Sequence, residues 1–156
     1  MINATPTYLS QEKFDELKDE LDGLKMVERK SIAEQLEYAK SLGDLSENAE
    51  YHEARDKQAD IEDRISELEV MLKSAVILSG AAAKGKVSIG SRVKIEKKDG
   101  TKMEYLIVGS EEANAVEGKI SHHSPLGLAL MDKKKGEAVV VTTPKGDVQY
   151  TILDIK

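Results

Sequence analysis

Between Pro6 and Pro125 the chain has no proline, and over the first half of that interval its apolar residues advance by threes and fours. Phe14, Leu17, Leu21 and Leu24 form one run; Ala54, Ile61, Ile65, Leu68 and Leu72, with Gln58 in the second place, form another. Such steps draw a narrow seam along an α-helix rather than a broad face, and a seam needs a second helix to cover it. No interior proline is present to break either run. The one interruption is Gly43-Asp44-Leu45-Ser46-Glu47-Asn48-Ala49-Glu50-Tyr51. Gly43 is a natural helix stop, since glycine enters the left-handed conformation without steric cost. Asp44 or Ser46 is suited to start the next helix by accepting orphan backbone N–H bonds. So short a turn gives an antiparallel helical hairpin with its tip in water. Neither helix holds its apolar stripe in water alone, so pairing stabilises both.

The expected first helix runs from about Ser10 to Leu42, roughly 50 Å at 1.5 Å per residue. Ser10 and Thr7 compete to cap it. Its seam blurs through Val27, Glu28 and Ile32 before Leu36, Ala39 and Leu42 resume it, as a stutter in a heptad would do. Glu53/Lys57 and Glu69/Lys73 are spaced as exposed pairs worth about 0.3–0.5 kcal/mol each.

Helical pattern fades at Ala75-Val76-Ile77-Leu78, and the small residues from Ser79 to Gly85 read as a linker. Beyond it the period changes to two. Val93/Ile95 and Tyr105/Ile107 mark two strands joined by the turn Lys98-Asp99-Gly100. Val116–Ile120 reads as a third strand, with Val139–Thr142 and Val148–Ile152 as two more. Ser124-Pro125-Leu126-Gly127-Leu128-Ala129-Leu130 is a short helix capped by Ser124, with Pro125 at its first position. Leu126, Ala129 and Leu130 would then plug the concave face of a mostly antiparallel sheet. The fold class is therefore α+β, with a helical hairpin over residues 1–78 and a sheet domain over 79–156.

Composition agrees with that division. One Phe, no Trp and 33% charged residues argue against a single large core. Residues 1–78 hold 19 acidic and 10 basic side chains, and residues 79–156 hold 10 acidic and 13 basic. The acidic half is ill suited to duplex nucleic acid, whose phosphates are bound by Lys and Arg. No cysteine is present, which excludes disulfides and thiolate metal sites. Met1–Ser10 lacks a basic start and an apolar run, and no stretch approaches a membrane span of ~20 residues. A soluble, cytoplasmic monomer with no membrane partner is expected.

At the tip stand the carboxyl side chains of Asp44, Glu47 and Glu50. Asp-x-x-Glu before a helix is also a capping box, a purely structural role. Glu50 and Glu53 exceed what one cap needs, however, and Ser46 and Asn48 are able to cap without an acidic cluster. The functional alternative is metal chemistry on phosphate. Two carboxylates hold Mg²⁺ weakly, because that ion wants six oxygens and keeps several waters. They are able to complete a site whose other ligands come from a partner, as in two-metal phosphodiester hydrolysis with ions ~3.5–4 Å apart.

Gly43-Asp44-Leu45-Ser46-Glu47-Asn48-Ala49-Glu50-Tyr51-His52-Glu53-Ala54 resembles the tip signature of the bacterial GreA/GreB transcript cleavage factors. Ile120-Ser121, Ser124–Leu130, Pro144-x-Gly146 and Tyr150-x-Ile152 are similar to that family's second motif, in the same order. The resemblance implies an N-terminal antiparallel coiled coil and a C-terminal FKBP-like domain without isomerase activity. It implies insertion of the coiled coil through the secondary channel of a backtracked bacterial RNA polymerase. The tip there stimulates the polymerase's own cleavage of the extruded RNA 3′ end, so the factor is no enzyme itself.

Carried over by position, Asp44 and Glu47 resemble the catalytic pair that stabilises a second Mg²⁺, shared with the polymerase and absent from the free protein. Ser46 and Asn48 support the tip, and Lys40 and Arg55 match a basic patch that contacts RNA. Without the resemblance, those two cations are a solvated helix surface. Ser124, Pro125, Leu126, Gly127 and Leu128 would dock on the channel rim, at a coiled coil of the largest polymerase subunit. Three departures stand out: relatives often carry Arg at Leu128, Gly at Asp132, and Arg-Pro at Arg29-Lys30.

Two other classes compete: an inhibitor that plugs the same channel, whose tip would depart from Asp-Leu-Ser-Glu-Asn, and a coiled-coil adaptor with an isomerase domain. The second has few aromatics to build a proline pocket. His52 is expected to pack or face solvent, and His122 and His123 to point to opposite sides of an extended chain.

Overall fold

The computed structural model describes residues 5–78 and 85–156, so the expected linker, apart from Gly85, lies outside the described residues. Two compact units result: Phe14–Ser74, and Met1–Lys13 together with Ala75–Lys156.

In the helical unit, α1 (Gln11–Gly23), a π-helical turn (Leu24–Glu28) and α2 (Arg29–Ser41) follow without interruption, and α3 (Ala49–Lys73) returns. The π turn sits where the seam blurs. A π turn takes in an extra residue, which slips the helix phase and turns Met26 and Val27 out to 76% and 62% exposure. Gly23, Glu28 and Arg29 keep right-handed helical dihedrals, so the axis continues. In step again, Ile32 and Leu36 bury against Ala54, with Tyr51 and Ile61 packed around them. Arg29 forms a fork onto Glu62 at 2.7 and 2.8 Å, and Arg64 does the same to Glu20 at 2.7 and 3.1 Å. Glu53 pairs with Lys57 as expected, but Glu69 reaches across to Lys25 instead of to Lys73. These pairs are half-exposed and individually add little stability.

The second unit begins at the N-terminus, which corrects the boundary expected at 78/79. β1 (Thr7–Leu9) pairs in parallel with β2 (Ala75–Ile77), Thr7 against Ala75 and Leu9 against Ile77. Glu112 receives both the N–H (2.9 Å) and the Oγ–H (2.6 Å) of Ser10. Ser10 Oγ in turn accepts from the Lys13 N–H, so Ser10 rather than Thr7 caps α1.

The main sheet has the order β5-β4-β3-β7-β6, from β3 (Arg92–Lys97), β4 (Lys102–Val108), β5 (Lys119–Ser121), β6 (Ala138–Thr143) and β7 (Gly146–Ile155). The Lys98-Asp99-Gly100 turn joins β3 to β4, with Gly100 left-handed at φ +87°. Every pairing is antiparallel except β4 with β5, so the sheet is mixed. The third strand expected over Val116–Ile120 is instead a 3₁₀ turn, Ala115–Glu117, followed by β5. Asn114 accepts from the Val116 N–H and Gly118 turns left-handed, which bends the chain before it can pair. Val116 is left 96% exposed.

α4 (Pro125–Leu130) covers the sheet as expected: Leu130 is fully buried, and Leu126 and Ala129 pack on Val93, Ile95, Ile107, Val139 and Ile152. Full burial of a leucine such as Leu130 is worth about 1.5–3 kcal/mol. Asp132, just past α4, has φ +63°. A glycine would meet no Cβ penalty in that conformation.

Candidate functional site

The hairpin tip is closed by one amide. α2 ends with the Leu42 N–H on the Ala39 carbonyl, and Gly43 follows at φ +136°. Asn48 then opens α3 from an extended conformation, its Oδ1 accepting from the Tyr51 N–H at 3.0 Å. Its Nδ2 donates to the Ala39 carbonyl at 2.6 Å, so the same side chain satisfies groups at the end of α2 and the start of α3. Neither Asp44 nor Ser46 caps α3, and the Asp44/Glu47 capping box is not formed. Asp44 Oδ1 instead accepts from the Ser46 N–H and Oγ–H, both at 3.1 Å, in a local turn of the kind aspartate favours.

Glu47 has no hydrogen bond or ion pair with any described residue, and Asp44 Oδ2 has none either. Both residues are exposed. Hard carboxylate oxygens left open to water fit a Mg²⁺ whose remaining ligands come from elsewhere. Among the described residues, no group of three or more His, Asp or Glu is arranged to hold a metal ion alone.

Lys40 lies exposed in the last turn of α2 and Arg55 exposed in the second turn of α3, so the two cations stand on different helices near the tip. The Arg55 guanidinium sits 5.9 Å from the centroid of the Tyr51 ring. His52 is exposed, its ring edge-on to Tyr51 at 5.8 Å and its Nε2 3.4 Å from the Ser46 carbonyl oxygen.

His122 and His123 do not diverge as an extended chain would require. Their rings lie 3.8 Å apart, because Ser121–Ser124 is a turn closed by the Ser124 N–H on the Ser121 carbonyl. Burial lowers the His122 pKa from its ordinary 6.5; the Val108 carbonyl opposes that shift and His123 reinforces it.

In the second unit, Ser124 Oγ accepts from the Gly127 N–H at 3.0 Å and donates to the Ser121 carbonyl at 2.7 Å. Gly127 packs so closely that a Cβ there would lie 2.0 Å from the Ser121 oxygen. Leu126 faces the core. Of the five residues expected to dock, Pro125 and Leu128 are exposed, Leu128 at 60%. The sequence reading missed the ring beneath Arg55; the four-residue spacing from Tyr51 to Arg55 was the available signal.

Residues 7–77 match the N-terminal family model for transcription elongation factors, and residues 82–156 match the C-terminal model for GreA/GreB elongation factors. Transcription elongation factor GreA of Clostridioides difficile is 46% identical over 95% of this chain and 94% of its own length. The protein of that name from Chloroflexus aurantiacus is 46% identical over 99% of this chain and 100% of its own. Among solved structures, GreA factor homolog 1 of Thermus thermophilus is 28% identical, covering 97% of this chain and 99% of that one, with a TM-score of 0.45.

Proposed function

The chain belongs to the GreA/GreB family of transcription elongation factors, and on that premise we propose how it stimulates RNA cleavage: its helical hairpin enters the secondary channel of a backtracked RNA polymerase and presents Asp44 and Glu47 to the active site. The supporting observation is the division of labour at the tip. Asn48 alone caps α3, so the open oxygens of Asp44 and Glu47 are left to serve a ligand outside the chain. A Mg²⁺ shared with the polymerase would supply Lewis acidity and lower the pKa of its bound water. Asp44 and Glu47 contribute carboxylate oxygens toward that ion, and Ser46 fixes Asp44.

Lys40 and Arg55 face the phosphates of the extruded RNA, for which cations are required. Pro125 and Leu128 offer an exposed contact for the polymerase rim. The factor cleaves nothing by itself and works as a cytoplasmic monomer. Tyr105 and Tyr150 pack against the sheet core, which disfavours a proline-binding pocket.

RNA 3′-end cleavage in a stalled, backtracked complex at fixed Mg²⁺ tests the proposal. Asp44→Ala and Glu47→Ala should each abolish stimulated cleavage while polymerase binding and helix content persist. Loss of binding in step with cleavage would remove the carboxylates from the chemistry. Wild-type protein that slows nucleotide addition without accelerating cleavage would make it an inhibitor.

A further inference from the structure

Three of the four arginines are neutralised by carboxylates: Arg29 by Glu62, Arg64 by Glu20 and Glu67, and Arg92 by Glu104. Arg55 has no carboxylate partner among the described residues, although α3 is crowded with acids. Sequence explains why. The positions three and four away, where helical neighbours meet, are Tyr51, His52, Gln58 and Ala59. Glu53, the nearest preceding acid, is engaged by Lys57 at 3.0 Å.

What Arg55 has instead is the Tyr51 ring, 5.9 Å away and within the range of a cation–π contact. That ring is anchored. Tyr51 is half-buried on the cluster of Ile32, Leu36 and Ala54, and its backbone N–H is held by Asn48. On its other flank the His52 ring stands edge-on, and His52 reaches the Ser46 carbonyl, which belongs to the turn fixed by Asp44. A continuous series of contacts therefore runs from Asp44 through Ser46, His52 and Tyr51 to Arg55.

We infer that Tyr51 is a positioning residue, which holds Arg55 as a phosphate ligand for the extruded RNA at a fixed offset from Asp44; this rests on the function proposed above for the tip. Arg55 makes no hydrogen bond with any described residue, so its planar fork of N–H donors stays open for two phosphate oxygens. A carboxylate partner would occupy that fork. The ring thus orients the cation without neutralising it.

The test measures cleavage rate against factor concentration in a backtracked complex, with Asp44→Ala as control. Tyr51→Phe keeps the ring and should match the wild-type protein. Tyr51→Leu should lower the rate at saturating factor by about two- to fivefold, the worth of an exposed cation–π contact, with the half-saturating concentration unchanged. In an Arg55→Ala background, Tyr51→Leu should cost nothing further, because its effect passes through Arg55. Equal losses in both backgrounds, or a loss that only follows reduced helix stability, would overturn the inference while leaving the tip reading intact. Cleavage that survives Asp44→Ala would overturn the tip reading, and the role of Tyr51 with it.

Discussion

Replacing Asn48 by alanine removes two bonds from one place, and their sum distinguishes a structural residue of the tip from its acidic neighbours. The N-cap bond to the Tyr51 N–H is worth about 1 kcal/mol, and the 2.6 Å bond to the Ala39 carbonyl about another 1 kcal/mol. Asn48→Ala should therefore cost about 2 kcal/mol. Asn48→Asp keeps the acceptor, loses the donor and turns a carboxylate toward a carbonyl, so it should retain only the cap. Asp44→Ala breaks an exposed local turn and should cost about 0.5 kcal/mol or less. Urea unfolding of the full chain, followed by far-ultraviolet circular dichroism, reads these differences. With a slope of about 1–3 kcal/mol per molar urea, the midpoint for Asn48→Ala should fall by about 1 M. If Asp44→Ala lowered it as far, Asp44 would be the cap and its carboxylate would no longer be spare.

Other outcomes follow from the second unit. Asp132→Gly relieves a left-handed residue at φ +63° and should stabilise the protein by about 0.5–1 kcal/mol in the same unfolding assay. Gly127→Ala drives a Cβ to 2.0 Å from the Ser121 backbone oxygen, so α4 must shift; a loss of about 3 kcal/mol or failure to fold is expected, visible as altered amide shifts in the sheet. His122 binds its proton less readily folded than unfolded, with the Val108 carbonyl, His123 and the Tyr8 ring around it. Its contribution is complete above pH ~6.5 and is lost as pH falls through and below that value, so His122→Gln should flatten the acid side of the stability profile.

The helical seam, Gly43 as a stop, the Lys98-Asp99-Gly100 turn and the Ser124–Pro125 helix start were all legible in the sequence, because each rests on local sterics or period. The choice of cap at the tip was not. Asp44, Ser46 and Asn48 are chemically eligible, and the structure gives the role to Asn48, whose amide caps α3 and donates to Ala39 across the hairpin, while the Ser46 hydroxyl is engaged by Asp44. The π turn showed as a lost phase at Val27, but its hydrogen-bond pattern had no separate signal. β1 and β2 are three-residue strands with no alternation to detect, and their pairing is long-range. Val116, β-branched and followed by Ile120, imitated a strand where Asn114 and Gly118 bend the chain. At the candidate site the carboxylates were readable from the motif, whereas the ring contact holding Arg55 required coordinates.

The parallel pairing of Leu9 with Ile77 has a kinetic consequence. Its two partners are separated in sequence by the whole helical unit, so the loop they close is long and its entropy cost must be met before the contact rewards it. A helical hairpin forms from near neighbours and brings its own ends together, which shortens that search. During synthesis β1 emerges early and waits unpaired until the ribosome has delivered α3 and β2. The pairing of β1 is thus timed by the helical hairpin that separates it from β2.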